Sequence, residues 1–210
     1  MTNTDIEYDT PSLDTSYDFV AIIDGLSASD RIRFEISNKI NALLTQESLP
    51  TRLTEVGTKS EFIAELGQLL TLAESGKKFL IHIVAHGDEK GIAAGNDDVD
   101  WPDMVSGLQA INKATGNSLI LNMSTCKGLY GARTVPCEGE YPFFGLIGAK
   151  TDLAVSDALK ANEIMYRKWL NDVPVQEMVP ETNSELGKEV LFNLSAEGFR
   201  KLTSSACNNA

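Results

Sequence analysis

The chain has 210 residues, 42% of them hydrophobic and 23% charged, with a formal net charge of −12. That is enough apolar material for one substantial core, and no stretch reaches the roughly 18 unbroken apolar residues of a membrane span. The acidity excludes a direct grip on phosphate backbones or anionic lipid; it fits plain solubility or the attraction of basic substrates.

Residues 1–17 (MTNTDIEYDTPSLDTSY) are polar and acidic and lack apolar periodicity. They read as a flexible leader ahead of a single domain over 18–210. Without a basic region followed by an apolar core they are no signal peptide, which points to a cytoplasmic protein.

DFVAIID (18–24) is a short apolar run ending at Asp-Gly, the pattern of a buried strand and a turn. Over 27–47, Ile32, Ile36, Ile40, Leu43 and Leu44 recur at helical spacing behind the capping side chains Ser27 and Asp30. A second strand is predicted over 49–56, and a second helix up to Gly76 through Phe62, Leu66, Leu69, Leu70 and Ala73. KKFLIHIVA (77–85) is the third strand, and 101–116 is a helix with Pro102 in its first turn. Strands over 117–126 and 141–150, a helix over 151–170, a last strand over 189–195 and a short helix around AEGFRKL complete the pattern. The irregular segment 127–141 is long enough to be mobile or functional. Alternating strands and helices specify an α/β fold with a mostly parallel central sheet and helices on both faces.

In such sheets ligands gather beyond the carboxyl ends of the strands. Those ends are Asp24-Gly25, His86-Gly87 and Cys126-Lys127-Gly128. Two of them carry a thiol and an imidazole, on consecutive parallel strands that an ordinary crossover makes neighbours. Amide hydrolysis by a thiol needs a thiolate nucleophile, a proton carrier near neutrality and donors for the tetrahedral oxyanion. Cys126 and His86 supply the first two; the N–H groups of Gly87 and Cys126 are the candidate oxyanion donors, with Gly87 leaving room for substrate. Cys126, Cys137 and Cys207 form no CxxC pair, so neither a zinc site nor a disulfide framework is expected, and reduced thiols fit a cytoplasmic chain.

AHGDEKGI (85–92) resembles the histidine segment of caspases, and STCKG (124–128) resembles their cysteine segment. The order of strand-HG, helix and strand-C is shared by the wider caspase-like peptidases: metacaspases, separases, gingipains and CHAT domains. FFGLIGAKTDLAVSDALKANEIMYRKWL also looks like the CHAT-type half that follows the cysteine. The resemblance runs over about 18–195, with specific motifs at two places. It implies a caspase-like sandwich and a cysteine endopeptidase with Cys126 as nucleophile and His86 as general acid/base. The dyad has no fixed acidic third member, no cofactor and no metal. The spacing from His86 to Cys126 is shorter than the roughly 50 residues of caspases, which suggests a compact bacterial member acting on a dedicated protein substrate in defence or cell-death signalling. An activating protein partner fits the same family, whose members are also switched by dimerisation or calcium; the oligomeric state stays open.

Ser124 stands where caspases carry Gln and metacaspases Asp, and Thr125 replaces the usual Ala. Asp24, Asp88 and Ser124 are the substrate-pocket candidates, and with Glu89 nearby they lean towards a basic P1 residue; helix capping and solvated loop acids are the plainer reading. Lys127 would lower the thiol's pKa only if it faced the sulfur, which strand alternation disfavours. No aspartate-rich linker follows Cys126, so aspartate autoprocessing is not indicated, while Arg133 offers a basic processing site. Cys137 and Cys207 are expected to be incidental. His82 lies inside its strand about 13 Å from His86, which favours packing over catalysis. A zinc pair from these two histidines would need a helix. Trp101 is expected to pack at a helix start. The rival function is a catalytically idle caspase-like module that binds or scaffolds a partner, for which the altered Ser124 and Thr125 leave room.

Overall fold

The computed structural model describes residues 17–207, the side chains of 204–207 excepted. The expected leader therefore lies outside the described residues, apart from Tyr17. That residue is docked: its hydroxyl donates to the Ser118 carbonyl at 2.8 Å, and its ring meets Trp169 edge-on.

The elements run β1 (Phe19–Asp24), α1 (Ala28–Phe34), α2 (Ile36–Gln46), β2 (Thr51–Glu55), α3 (Lys59–Glu74), β3 (Phe79–Val84), β4 (Gly91–Ala94), β5 (Asp97–Asp100), α4 (Trp101–Ala114) and β6 (Ile120–Ser124). A 3-10 helix (Gly128–Thr134), β7 (Gly145–Gly148), α5 (Val155–Leu170), α6 (Val175–Leu186), β8 (Phe192–Ser195) and α7 (Ala196–Cys207) follow. Six strands form one sheet in the order β2-β1-β3-β6-β7-β8, parallel throughout except for β8, which runs antiparallel to β7. The expected α/β architecture with a mostly parallel sheet is present. No helix among the described residues is long and apolar enough to cross a membrane.

Strand alternation divides the core into two layers. Ala21, Ile23, Ile81, Ile83, Leu121 and Met123 pack under α3 and α4, whose Phe62, Leu66, Leu69, Met104 and Leu108 are buried. Val20, Ile22, Leu80, Val84, Ile120 and Ile147 point the other way, onto Ile36, Ile40 and Leu44 of α2, Met165 and Tyr166 of α5 and Met178 and Val179 of α6. Burial of β1 and β3 on both faces explains their continuous apolar runs.

Four departures from the sequence reading have local causes. The helix expected over 27–47 is two helices, broken at Glu35, which adopts a left-handed φ of 53°. The β4–β5 hairpin was not expected; its antiparallel pairing spans only four residues a side. Nor was α6, which carries Pro180 in its interior, a residue that removes a helical hydrogen bond. Finally, the segment 127–141 is tied down. It opens as the 3-10 helix, Arg200 donates to the carbonyls of Pro136 and Gly139 at 2.9 Å each, and Gln109 donates to the Glu140 carbonyl at 2.8 Å. Cys137 in this segment is disulfide-bonded, which corrects the expectation of reduced thiols throughout, while Cys126 is free. The Cys207 side chain lies outside the described residues.

The hairpin positions the site. After β3 the chain folds back: Ala93 N donates to the His86 carbonyl at 2.9 Å and Asp88 N to the Gly91 carbonyl at 3.0 Å. Gly95 N donates to the Gly25 carbonyl at 2.8 Å, and Gly95 packs against Gly57. The hairpin thus lies across the carboxyl ends of β1 and β2 and leaves the end of β6, where Cys126 sits, beside its rim.

Candidate active site

Parallel pairing sets Val84 opposite Ser124. His86 and Cys126 each stand two residues beyond, at matching places on adjacent strand ends. Contact between the two turns runs through Gly87: a Cβ there would lie 2.8 Å from the Cys126 carbonyl oxygen and 3.0 Å from the Thr125 Cβ. Any larger residue would push these turns apart. Gly128 does the same on the far side, where a Cβ would lie 2.8 Å from the Thr125 hydroxyl. Thr125 is buried between both turns, and its hydroxyl has no hydrogen-bond partner among the described residues.

Cys126 is half-buried. Its sulfur accepts from the Leu153 amide at 3.3 Å, and the thiol faces the Leu153 carbonyl at 3.9 Å. The turn after it is laced to the end of β7, with Lys127 N donating to the Thr151 carbonyl at 2.9 Å and Leu129 N to the Ala149 carbonyl at 3.0 Å. Lys127 has a left-handed φ of 54° and points its ammonium at Glu89, 3.3 Å away, which raises its pKa. It is engaged there rather than on the sulfur.

The His86 side chain is 58% exposed, and its Nε2 lies 3.1 Å from Asp30 Oδ2 on α1. The imidazole's hydrogen bond therefore goes to Asp30 and the thiol's to Leu153. Among the described residues, no protein group accepts from the Gly87 or Cys126 N–H, the two candidate oxyanion donors.

The pocket candidates separate. Asp24 is buried and fully used. Its carboxylate accepts from Leu26 N at 2.9 Å and from the Ser37 hydroxyl, and it lies 3.3 Å from Arg31 Nε. It cannot line a substrate pocket. Ser124 is also inward: its hydroxyl meets His82 Nε2 at 2.8 Å and accepts from Asn162 Nδ2 at 2.7 Å. Both assignments are corrected for one reason, that a strand's last residues still belong to its buried faces. Asp88 stays at the surface, where its carboxylate accepts from Lys90 N at 2.6 Å and Gly91 N at 3.1 Å, bonds that hold its pKa below the usual range. With His86, Asp98 and Asp100 it borders a groove of about 310 Å³ along the hairpin, which Lys90 also lines.

His82 is the centre of a buried polar network. Its Nδ1 meets the Tyr166 hydroxyl at 2.7 Å, and Asn122 Nδ2 donates to Asn162 Oδ1 at 2.8 Å beside it. Burial drives the His82 pKa down to about 3, so the ring is neutral. Both its nitrogens are occupied, and it lies on a strand. Trp101 packs as expected, buried in the core with its Nε1 donating to the Glu89 carbonyl at 3.1 Å. Arg133 donates to the same carbonyl at 2.9 Å.

Two contributors were not found from sequence. Leu153 acts through its backbone, which leaves no residue signature. Asp30 read as a capping acid, and only the fold shows that it also reaches His86. No family model matches this chain, and no curated protein matches it.

Proposed function

We propose that the chain is a cysteine endopeptidase of caspase-like architecture, with Cys126 as nucleophile and His86 as general acid/base. The observation that carries this reading is the Gly87–Cys126 contact, which holds an exposed imidazole and a free thiol on neighbouring strand ends. The Cys126 thiolate attacks the scissile carbonyl carbon, and the oxyanion is received by the N–H groups of Gly87 and Cys126. His86, carrying the proton it took from the Cys126 thiol, passes it to the leaving amine nitrogen as the C–N bond breaks, leaving a thioester. It then takes a proton from water, whose oxygen attacks the thioester carbon; the C–S bond breaks, the acyl product leaves as the carboxylic acid, and His86 returns the proton to the Cys126 sulfur. A basic P1 residue is supported by the acids bordering the groove beside His86. A dedicated protein substrate and a role in bacterial defence or cell death rest on resemblance alone. The disulfide at Cys137 withdraws the support that reduced thiols lent to a cytoplasmic location.

The separate hydrogen bonds of His86 and Cys126 favour one second reading, an idle module that retains the fold for binding. The two differ in the thiol's reactivity. A peptidase reacts rapidly at Cys126 with a thiol reagent and loses that rate in His86→Ala; an idle module shows the same slow rate in both.

A further inference from the structure

We infer that Asp30 is the positioning residue of His86: its carboxylate accepts the Nε2–H and so leaves Nδ1 as the nitrogen that exchanges a proton with Cys126. This inference rests on the peptidase reading for its purpose, although the contact itself is read from the structure.

Asp30 sits in the first turn of α1, behind the N-cap Ser27. Ser27 Oγ accepts from Asp30 N at 3.2 Å and donates to Asp30 Oδ2 at 2.9 Å. The same oxygen lies 3.1 Å from His86 Nε2. The bonds from His86 and Ser27 hold the carboxyl below its usual pKa, so it is a charged acceptor at neutral pH. A neutral imidazole has one N–H, and a fixed carboxylate at one nitrogen selects the tautomer at the other.

The carboxylate is fixed although α1 buries no residue. Its anchor is Arg31, the next residue. One Arg31 Nη donates to the carbonyls of Asp24 at 3.1 Å and Val56 at 2.7 Å, and its guanidinium pairs with Asp24 and Glu55. The buried Asp24 is thus the base of a relay: it holds Arg31, Arg31 holds α1 on the ends of β1 and β2, and α1 presents Asp30 to His86.

The test joins a spectroscopic and a kinetic measurement. The chain has two histidines, so long-range ¹H–¹⁵N spectra resolve both rings, and His86→Ala assigns them. Wild type is expected to show His86 protonated at Nε2. In Asp30→Asn the amide can donate to Nε2, so the Nδ1–H form is expected to rise. Saturation kinetics of a peptidyl acyloxymethyl ketone with P1 Arg then measure acylation of Cys126. Asp30→Ala is expected to lower the maximal rate about 10- to 100-fold at an unchanged saturation constant, with Asp30→Glu recovering part of it. An unchanged tautomer in Asp30→Asn together with a wild-type rate in Asp30→Ala overturns the inference and leaves the dyad standing. A wild-type protein that forms no adduct overturns the peptidase reading instead, and the tautomer measurement alone then decides whether Asp30 positions the ring.

Discussion

His82 and His86 are four residues apart on one chain segment, and the fold gives them opposite lives. His82 sits inside β3, fully buried, with both nitrogens engaged and its pKa pushed down to about 3. His86 stands two residues past the last strand position, exposed on one side and held by a carboxylate on the other. Identical side chains differ because a strand interior in a doubly covered sheet removes water, whereas the strand's carboxyl end returns it. The first histidine is built to stay neutral and stiffen the sheet against α5; the second is placed where proton exchange is possible.

The largest expected effect comes from breaking the exposed member. His86→Ala should slow probe acylation of Cys126 by about 10²- to 10⁴-fold while leaving thermal stability close to wild type. By contrast, Tyr166→Phe, which removes a partner of His82, should leave acylation within a few-fold.

Removing the base under α1 is expected to act on stability. Asp24→Ala strands Arg31 and Ser37, and loss of one partner of a buried pair costs about 3–5 kcal/mol. Chemical denaturation of the variant measures this directly; a loss under about 1 kcal/mol would remove Asp24 from the structural role assigned to it.

The buried histidine has a pH signature. Its folded pKa of about 3 lies below the ordinary 6.5, so below pH 6.5 the unfolded chain binds a proton that the folded one refuses. Stability is therefore intact above that pH and falls as pH drops, by up to about 1.4 kcal/mol per pH unit. Between pH 6.5 and 5, where few carboxylates titrate, His82→Leu should flatten this slope. The smallest effect is that of Tyr166→Phe on stability, about 1–2 kcal/mol, from the lost hydroxyl contacts to the neutral His82 ring and to Asn122.

Much of this arrangement was legible in the sequence. Apolar runs ending at Asp-Gly, His-Gly and Cys-Lys-Gly located β1, β3 and β6, and consecutive order put His86 beside Cys126. The partners of the end residues were not legible. Asp24 is claimed by Arg31 and Ser37, and Ser124 by His82 and Asn162, all through contacts distant in sequence that periodicity does not encode. The break between α1 and α2 rests on one left-handed residue, Glu35, of a type with no preference for that region. Leu153 contributes a backbone amide that any residue but proline would supply there.

The most direct test of the central claim is intact-mass detection of acyloxymethyl ketone adducts with P1 Arg, Lys, Asp, Asn and Leu on wild type, Cys126→Ala and His86→Ala. The account predicts one adduct on wild type, fastest with Arg or Lys, absent in Cys126→Ala and strongly slowed in His86→Ala. No adduct with any probe on folded wild type, or equal rates in wild type and His86→Ala, would contradict it.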